Sequence, residues 1–224
     1  MLGGFVFRLG IGALPFLLPL MLQVGFGMNP FQSGLITFAS AVGAISMKMA
    51  VGTVLRRFGF RTILVINSLV SAAFLAVCAA FTQTTPIAAM LALLLVGGFF
   101  RSLQFTSINT IAYAELDNAR VSRATALVSV GQQLSISAGV AIGALAVELT
   151  LRFRGDGTLQ AADFPPAFLA VAIISALSVL IFARLPADAG AELAGRLPAP
   201  TEPSDPGVPW HPPSVATALT IFGR

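Results

Sequence analysis

Residues 9–47 read LGIGALPFLLPLMLQVGFGMNPFQSGLITFASAVGAISM, a run of 39 residues without a charge, bounded by Arg8 and Lys48. A second uncharged run of 39 residues lies between Arg61 and Arg101. A bilayer-spanning helix needs roughly 20 apolar residues. Each run therefore holds two spans. Each also has a turn signal near its middle: Gly27-Met28-Asn29-Pro30 in the first and Gln83-Thr84-Thr85-Pro86 in the second.

The rest of the chain agrees. It has 224 residues, 56% hydrophobic and 10% charged, where soluble domains average about 25% charged. So few charges cannot cover the surface of a water-soluble core, and the lipid bilayer is the expected partner. A net charge of +4 does not indicate nucleic acid. The basic residues sit between apolar spans rather than on one polar face, so no nucleic-acid partner is expected. Cys78 is alone inside an apolar run and reads as a small buried hydrophobe. Arg8 is the only early charge, and the apolar run behind it exceeds signal-peptide length. A spanning helix rather than a cleaved leader is therefore expected.

Six spans are predicted: Phe5 to Gly25, Ser33 to Leu55, Thr62 to Phe81, Pro86 to Ala114, Ser122 to Leu149 and Pro166 to Ala183. The first contains Pro15 and Pro19, so a bend is expected there. The expected fold is an all-α membrane protein whose residues 1–184 form a six-helix bundle. Residues 185–224 form a proline-rich cytoplasmic tail, mostly disordered, because crowded prolines among Asp, Glu and Ser cannot bury enough apolar surface. Trp210 and His211 lie in that tail, and a solvated role is expected for both. Basic residues fall in the 2–3 loop (Arg56, Arg57, Arg61), the 4–5 loop (Arg120, Arg123) and after span 6 (Arg184, Arg196). That excess puts both termini in the cytoplasm of a cell, or inner, membrane protein. Arg152 and Arg154 in the 5–6 loop fit this rule least well.

The 2–3 loop reads Gly52-Thr53-Val54-Leu55-Arg56-Arg57-Phe58-Gly59-Phe60-Arg61. Gly59 can take a positive φ and turn the chain tightly. Arg57 and Arg61 can satisfy carbonyls at the C-terminal end of span 2 and anchor lipid headgroups. With Gly52, Arg57, Gly59 and Arg61 at these spacings, the loop resembles the signature loop of the major facilitator superfamily, G-x-x-x-D-R-x-G-R-R-like, found between the second and third helices of each half. Arg56 stands where that family often has Asp. In the family the acidic residue helps lock one face of the transporter closed, so its absence looks like a second-half copy of the loop. Arg184-Leu185-Pro186-Ala187-Asp188-Ala189-Gly190-Ala191-Glu192 is similar to the C-terminal end of drug:proton antiporters of that superfamily. So are Pro15-Phe16-Leu17-Leu18-Pro19-Leu20-Met21-Leu22-Gln23 and Ser122-Arg123-Ala124-Thr125-Ala126-Leu127. The resemblance covers residues 5–196 and implies the C-terminal six-helix half of a transporter. It also implies a substrate site between two such halves. The chain then begins where a second bundle would begin. It is a fragment, or its N-terminal six-helix half is a separate chain, or two copies pair.

Gly131, Ser135, Gly139 and Gly143 recur every four residues on span 5, a small-residue stripe that lets helix backbones approach closely in lipid. It can face another span of this bundle or the absent half. Charged and polar residues within spans are the functional candidates, because a buried charge costs roughly 2.5–3.5 kcal/mol on insertion scales. Arg101, Gln104 and Asn109 on span 4 are expected to share a face lining the central pathway. Arg8 either snorkels to headgroups or joins them, while Lys48 is expected to snorkel. The resemblance puts helices 1 and 4 of a half on the cavity, which raises Gln23 and Gln132 as pathway candidates and leaves Asn67 a packing role. No Asp or Glu lies at mid-span, so a proton-carrying acid is expected on the missing half. There is no Walker loop, metal-spaced His/Cys set or nucleophilic constellation, so no enzyme, cofactor or metal is expected. The sequence thus predicts half of a proton-coupled exporter of lipophilic or amphipathic small molecules. The alternative is a non-transporting membrane fragment or assembly subunit that packs against a partner half.

Overall fold

Asn29-Pro30 starts a helix as its chemistry dictates. The Asn29 Oδ1 accepts from the Gln32 backbone N–H at 2.8 Å, and the Gln32 Oε1 accepts from the Asn29 N–H at 3.3 Å. This reciprocal cap, with proline in the first turn, satisfies amides the helix cannot bond internally. In the computed structural model this helix, α3, runs Pro30–Phe58. The structure describes residues 2–114, 121–155 and 157–186, and of residues 112–114 and 121–127 only the backbone. Around α3 stand α1 (Leu2–Ile11), α2 (Leu14–Leu20), α4 (Phe60–Ala79), α5 (Ile87–Ala114), α6 (Val121–Arg154) and α7 (Phe164–Phe182). No strand occurs among the described residues. The expected tail from residue 187 onward, with Trp210, His211 and Arg196, lies outside the described residues, as do Glu115, Asp117 and Arg120 of the 4–5 loop and the Arg123 side chain.

Among the described residues, six segments are long and apolar enough to cross a membrane. Span 1 is α1, α2 and a wide turn at Met21–Gly25; spans 2 to 6 are α3 to α7. The six expected spans are all present, with shifts at their ends that have local causes. Span 2 continues to Phe58, where Gly59 at φ +77 ends it. Span 5 runs past Leu149 to Arg154, held by an Arg152–Glu148 pair at 2.8 Å one turn apart and stopped by Gly155 at φ +75. Span 6 begins at Phe164, with Pro165 and Pro166 in its first turn.

Span 1 is broken rather than gently bent. Pro15 has no N–H, and its ring crowds the Ile11 carbonyl. The helix accordingly stops at Ile11 and restarts at Leu14. After Pro19 the backbone widens into a π turn, with the Phe26 N–H donating to the Met21 carbonyl at 2.9 Å.

The spans do not pack in chain order. Span 2 lies along span 4, span 1 along spans 5 and 6, and span 3 along spans 4 and 6. Exchanging spans 1 with 4, 2 with 5 and 3 with 6 maps each of these pairs onto another of them, and the 3–6 pair onto itself. That is the signature of two three-helix repeats. Glycines set the closest approaches. A Cβ at Gly43 would collide with the Leu95 carbonyl, and one at Gly98 with that of Ser40, so spans 2 and 4 touch backbone to backbone. Spans 1 and 5 repeat the device, with Gly12 against Ile136 and Gly139 against the Leu9 carbonyl. The core is aromatic and aliphatic, built around Phe7, Leu17, Met21, Met90, Phe164 and Phe168.

Candidate functional site

Span 4 positions the polar side chains, and it distributes them instead of aligning them. At 100° per residue, Gln104 stands about 60° to one side of Arg101 and Asn109 about 80° to the other. Neighbouring helices take them separately. Arg101 Nη2 donates to Ser40 Oγ of span 2 at 3.2 Å. Gln104 turns to span 3, where its Nε2 donates to Ser68 Oγ at 2.7 Å and to the Leu64 carbonyl at 3.1 Å. Asn67 Nδ2 donates to Gln104 Oε1 at 3.1 Å and to the Phe100 carbonyl at 2.7 Å. Asn109 accepts from Arg8 Nη2 of span 1. The shared face expected for Arg101, Gln104 and Asn109 is therefore not formed, because span 4 is hemmed in on three sides. Gln104 is fully buried in the contact with span 3, in the same network as Asn67.

Arg8 does not snorkel. It is 5% exposed, and its guanidinium lies 5.5 Å from the centre of the Phe105 ring. It borders a cavity of about 630 Å³ between spans 1, 3, 4, 5 and 6, with Phe5, Leu64, Ile108, Val128 and Gln132 among its walls. Such a volume lies within the range that takes a drug-sized ligand, and few polar groups among apolar walls is the usual composition of such sites. No acidic side chain is found among its described lining residues. Arg8 and Gln132 thus meet at one cavity, while Gln23 is exposed at the far end of span 1 and donates to Ser33 Oγ at 3.3 Å. Arg101 borders a separate hollow of about 20 Å³ among spans 1 to 4, with Ser40 and Ser71. That is room for about one water molecule.

The small-residue stripe divides. Gly139 and Gly143 meet span 1 at Leu9, Ala13 and Leu17, and Ser135 is buried. Gly131, where a Cβ would meet nothing within 4 Å, opens on the large cavity. In the 2–3 turn, Arg56 reaches a span 2 carbonyl: its Nε donates to the Gly52 oxygen at 3.3 Å, one turn back on the same face. Arg57 lies over the Phe58 ring at 5.8 Å. Arg61 caps span 6, its Nη2 donating to the Ala183 carbonyl at 2.9 Å, because span 3 packs on span 6. Arg154 is bound to Asp163 at 2.7 Å and Arg152 to Glu148, so both basic residues of the 5–6 loop have local carboxylates. Sequence reasoning missed Ser40 and Ser68. Ser68 carried the only usable signal, since it adjoins Asn67 and stands one turn from Leu64 on the same face.

Comparison with known proteins agrees with this architecture. The family model of the Major Facilitator Superfamily matches residues 1–223. A protein of Klebsiella pneumoniae (strain 342), named "Putative multidrug resistance protein MdtD", is 36% identical over 197 residues, covering 84% of this chain and 40% of the relative. Proteins of the same name in Enterobacter sp. (strain 638) and Salmonella newport (strain SL254) are 36% and 34% identical, over 83% and 84% of this chain and 40% of each relative. The chain thus spans about 40% of the length of the curated relatives it matches. With six spans in paired three-helix repeats, a glycine turn between spans 2 and 3 and a family match along almost its whole length, the chain belongs to the major facilitator superfamily.

Proposed function

We propose that this chain is one lobe of a membrane exporter of lipophilic or amphipathic small molecules, driven by proton exchange. The observation that carries the reading is the cavity of about 630 Å³, walled by Phe5, Leu64, Ile108 and Val128 and held polar at Arg8 and Gln132. The family and the names of the relatives support export of this kind. The partner is a second six-span lobe, either a separate segment or another copy. Arg101, whose guanidinium meets Ser40 across the span 2–4 contact, contributes to the transport path from this lobe. The distribution of Arg56, Arg57, Arg61 and Arg184 supports a cytoplasmic position for both termini.

The described spans carry acids only at their ends, Glu148 and Asp163, both with arginine partners. The proton-carrying acid therefore belongs to the other lobe. The test is efflux of a fluorescent lipophilic cation from cells expressing the chain with and without a complementary six-span lobe. Efflux appears only with both, and Arg101→Ala lowers it. Recovery with Arg101→Lys would show that charge suffices, and its absence that the planar fork is needed. Proton-driven transport by residues 1–224 alone in liposomes would refute the two-lobe reading.

A second reading is a packing module that does not transport. The apolar faces left open on spans 2 and 5, with Phe38, Ile45, Val130 and Leu134 exposed, favour it as a surface for another membrane protein. No efflux with any complementary lobe, together with co-purification of the two, would support it.

A further inference from the structure

The 2–3 turn carries a cluster of positive charge. From Met1 through Ala114 the chain contains Arg8, Lys48, Arg56, Arg57, Arg61 and Arg101 and no Asp or Glu. Half of those cations fall between Arg56 and Arg61. The turn joins two helices of membrane-spanning length, so it lies at the bilayer surface. Arg61 rests on the Ala183 carbonyl, which places Arg184, a further exposed cation, at the next residue.

Two hollows open beside this cluster. The outer one, of about 380 Å³, is bordered by Gly59, Arg61, Val65 and Ala183. The inner one, of about 200 Å³, is bordered by Val54, Ile63, Phe100 and Leu103. Phe58, Thr62 and Ile66 line both. Thr62 and Ile66 are one turn apart on span 3 and border both, so the two hollows adjoin across that face. The groove they make has a cationic mouth and an almost wholly apolar far end. Phe58 and Ile66 are 54% and 56% exposed, so the groove is accessible from the bilayer.

We infer that this groove is a binding site for an anionic phospholipid of the adjoining leaflet, with its phosphate at Arg61 and an acyl chain along Thr62 and Ile66 toward Phe100 and Leu103. The charge at the mouth comes from Arg61, with Arg184 beside its acceptor. A small soluble anion would use the mouth alone and leave the apolar end unfilled. A basic pocket between transmembrane helices, with a continuous apolar floor, is the composition that recognises such headgroups. The inference depends on the membrane fold and not on transport.

Titration of the full chain in mild detergent, followed by native mass spectrometry, tests it. The probes are phosphatidylglycerol and phosphatidylcholine with identical acyl chains. One phosphatidylglycerol should be retained at least about fivefold more tightly than phosphatidylcholine, the scale expected of one guanidinium near a phosphate. Arg61→Gln should remove that preference. Ile66→Trp should fill the groove and weaken retention with every charge in place, and it serves also if Arg61→Gln fails to fold. Equal retention of the two lipids, or no effect of either substitution, overturns the site. Full displacement of phosphatidylglycerol by millimolar inorganic phosphate would show an anion site without a lipid groove and would also overturn it.

Discussion

Asn67 and Gln104 form a buried polar pair between spans 3 and 4. Between them they engage a side chain and two backbone carbonyls of the facing spans at 2.7–3.1 Å. Hydrogen bonds between membrane helices are worth less than their geometry suggests, averaging about 0.6 kcal/mol in double-mutant cycles. Replacing Asn67 by Leu and Gln104 by Leu, singly and together, should therefore give a coupling of roughly 0.5–1.5 kcal/mol in reversible detergent unfolding. A coupling of zero would mean that the network forms no part of the folded bundle. The sequence placed Asn67 at a helix contact but sent Gln104 to the pathway with Arg101 and Asn109. Spacing along one helix tells which residues are angular neighbours. It does not tell which helix stands at each angle, and span 4 meets a different partner every 60 to 80° or so.

At the scale of the element, the glycines divide by what surrounds them. Gly43, Gly98 and Gly139 lie against carbonyls of the facing helix, and a methyl group there must push two backbones apart. Alanine at any of the three should cost about 1–3 kcal/mol, the range for overpacking a tight contact. Gly131 faces open space, so Gly131→Ala should be neutral or stabilise by up to about 1 kcal/mol through helix propensity. Thermal unfolding of the four variants in detergent separates the two groups, and a uniform loss across all four would contradict this packing. The stripe itself was legible because a four-residue period is a helical face. Its partner, span 1, was not, because nothing local to span 5 says which helix will be laid against it. Span ends were legible to within a few residues wherever a cap or breaker is present, as at Asn29, Gly59 and Gly155. The break in span 1 was foreseen as a bend. Proline acts on the turn before it, which is why the interruption falls at Gly12-Ala13 and not at Pro15.

For the whole molecule, Cys78 offers a single reporter. It is the only thiol in the chain and is 3% exposed, packed in the main core with Leu75 and Phe81. A membrane-permeant maleimide should leave it unmodified in the folded bundle and label it fully once denaturant opens spans 3 and 4. Labelling at the rate of a free thiol under native conditions would show that the bundle does not hold its packing in the absence of a second lobe. The number of spans was readable from apolar runs and turn signals, since lipid tolerates so few alternatives, while the half-bundle class came from the resemblance carried by the 2–3 loop. The cavity at Arg8 was not readable, because its walls come from five spans scattered along the chain from Leu2 to Leu185.

Because span 1 closes on span 5 and span 2 on span 4, synthesis must leave early helices waiting. While spans 1 to 3 have left the ribosome and spans 4 and 5 have not, the backbone surfaces at Gly12 and Gly43 have no mate, and acyl chains or the insertion machinery must shield them. A nascent chain stalled at that stage carries two narrow helix faces built for partners not yet made. Quality-control proteases of the membrane would meet their most extractable form there, before the fourth and fifth helices arrive.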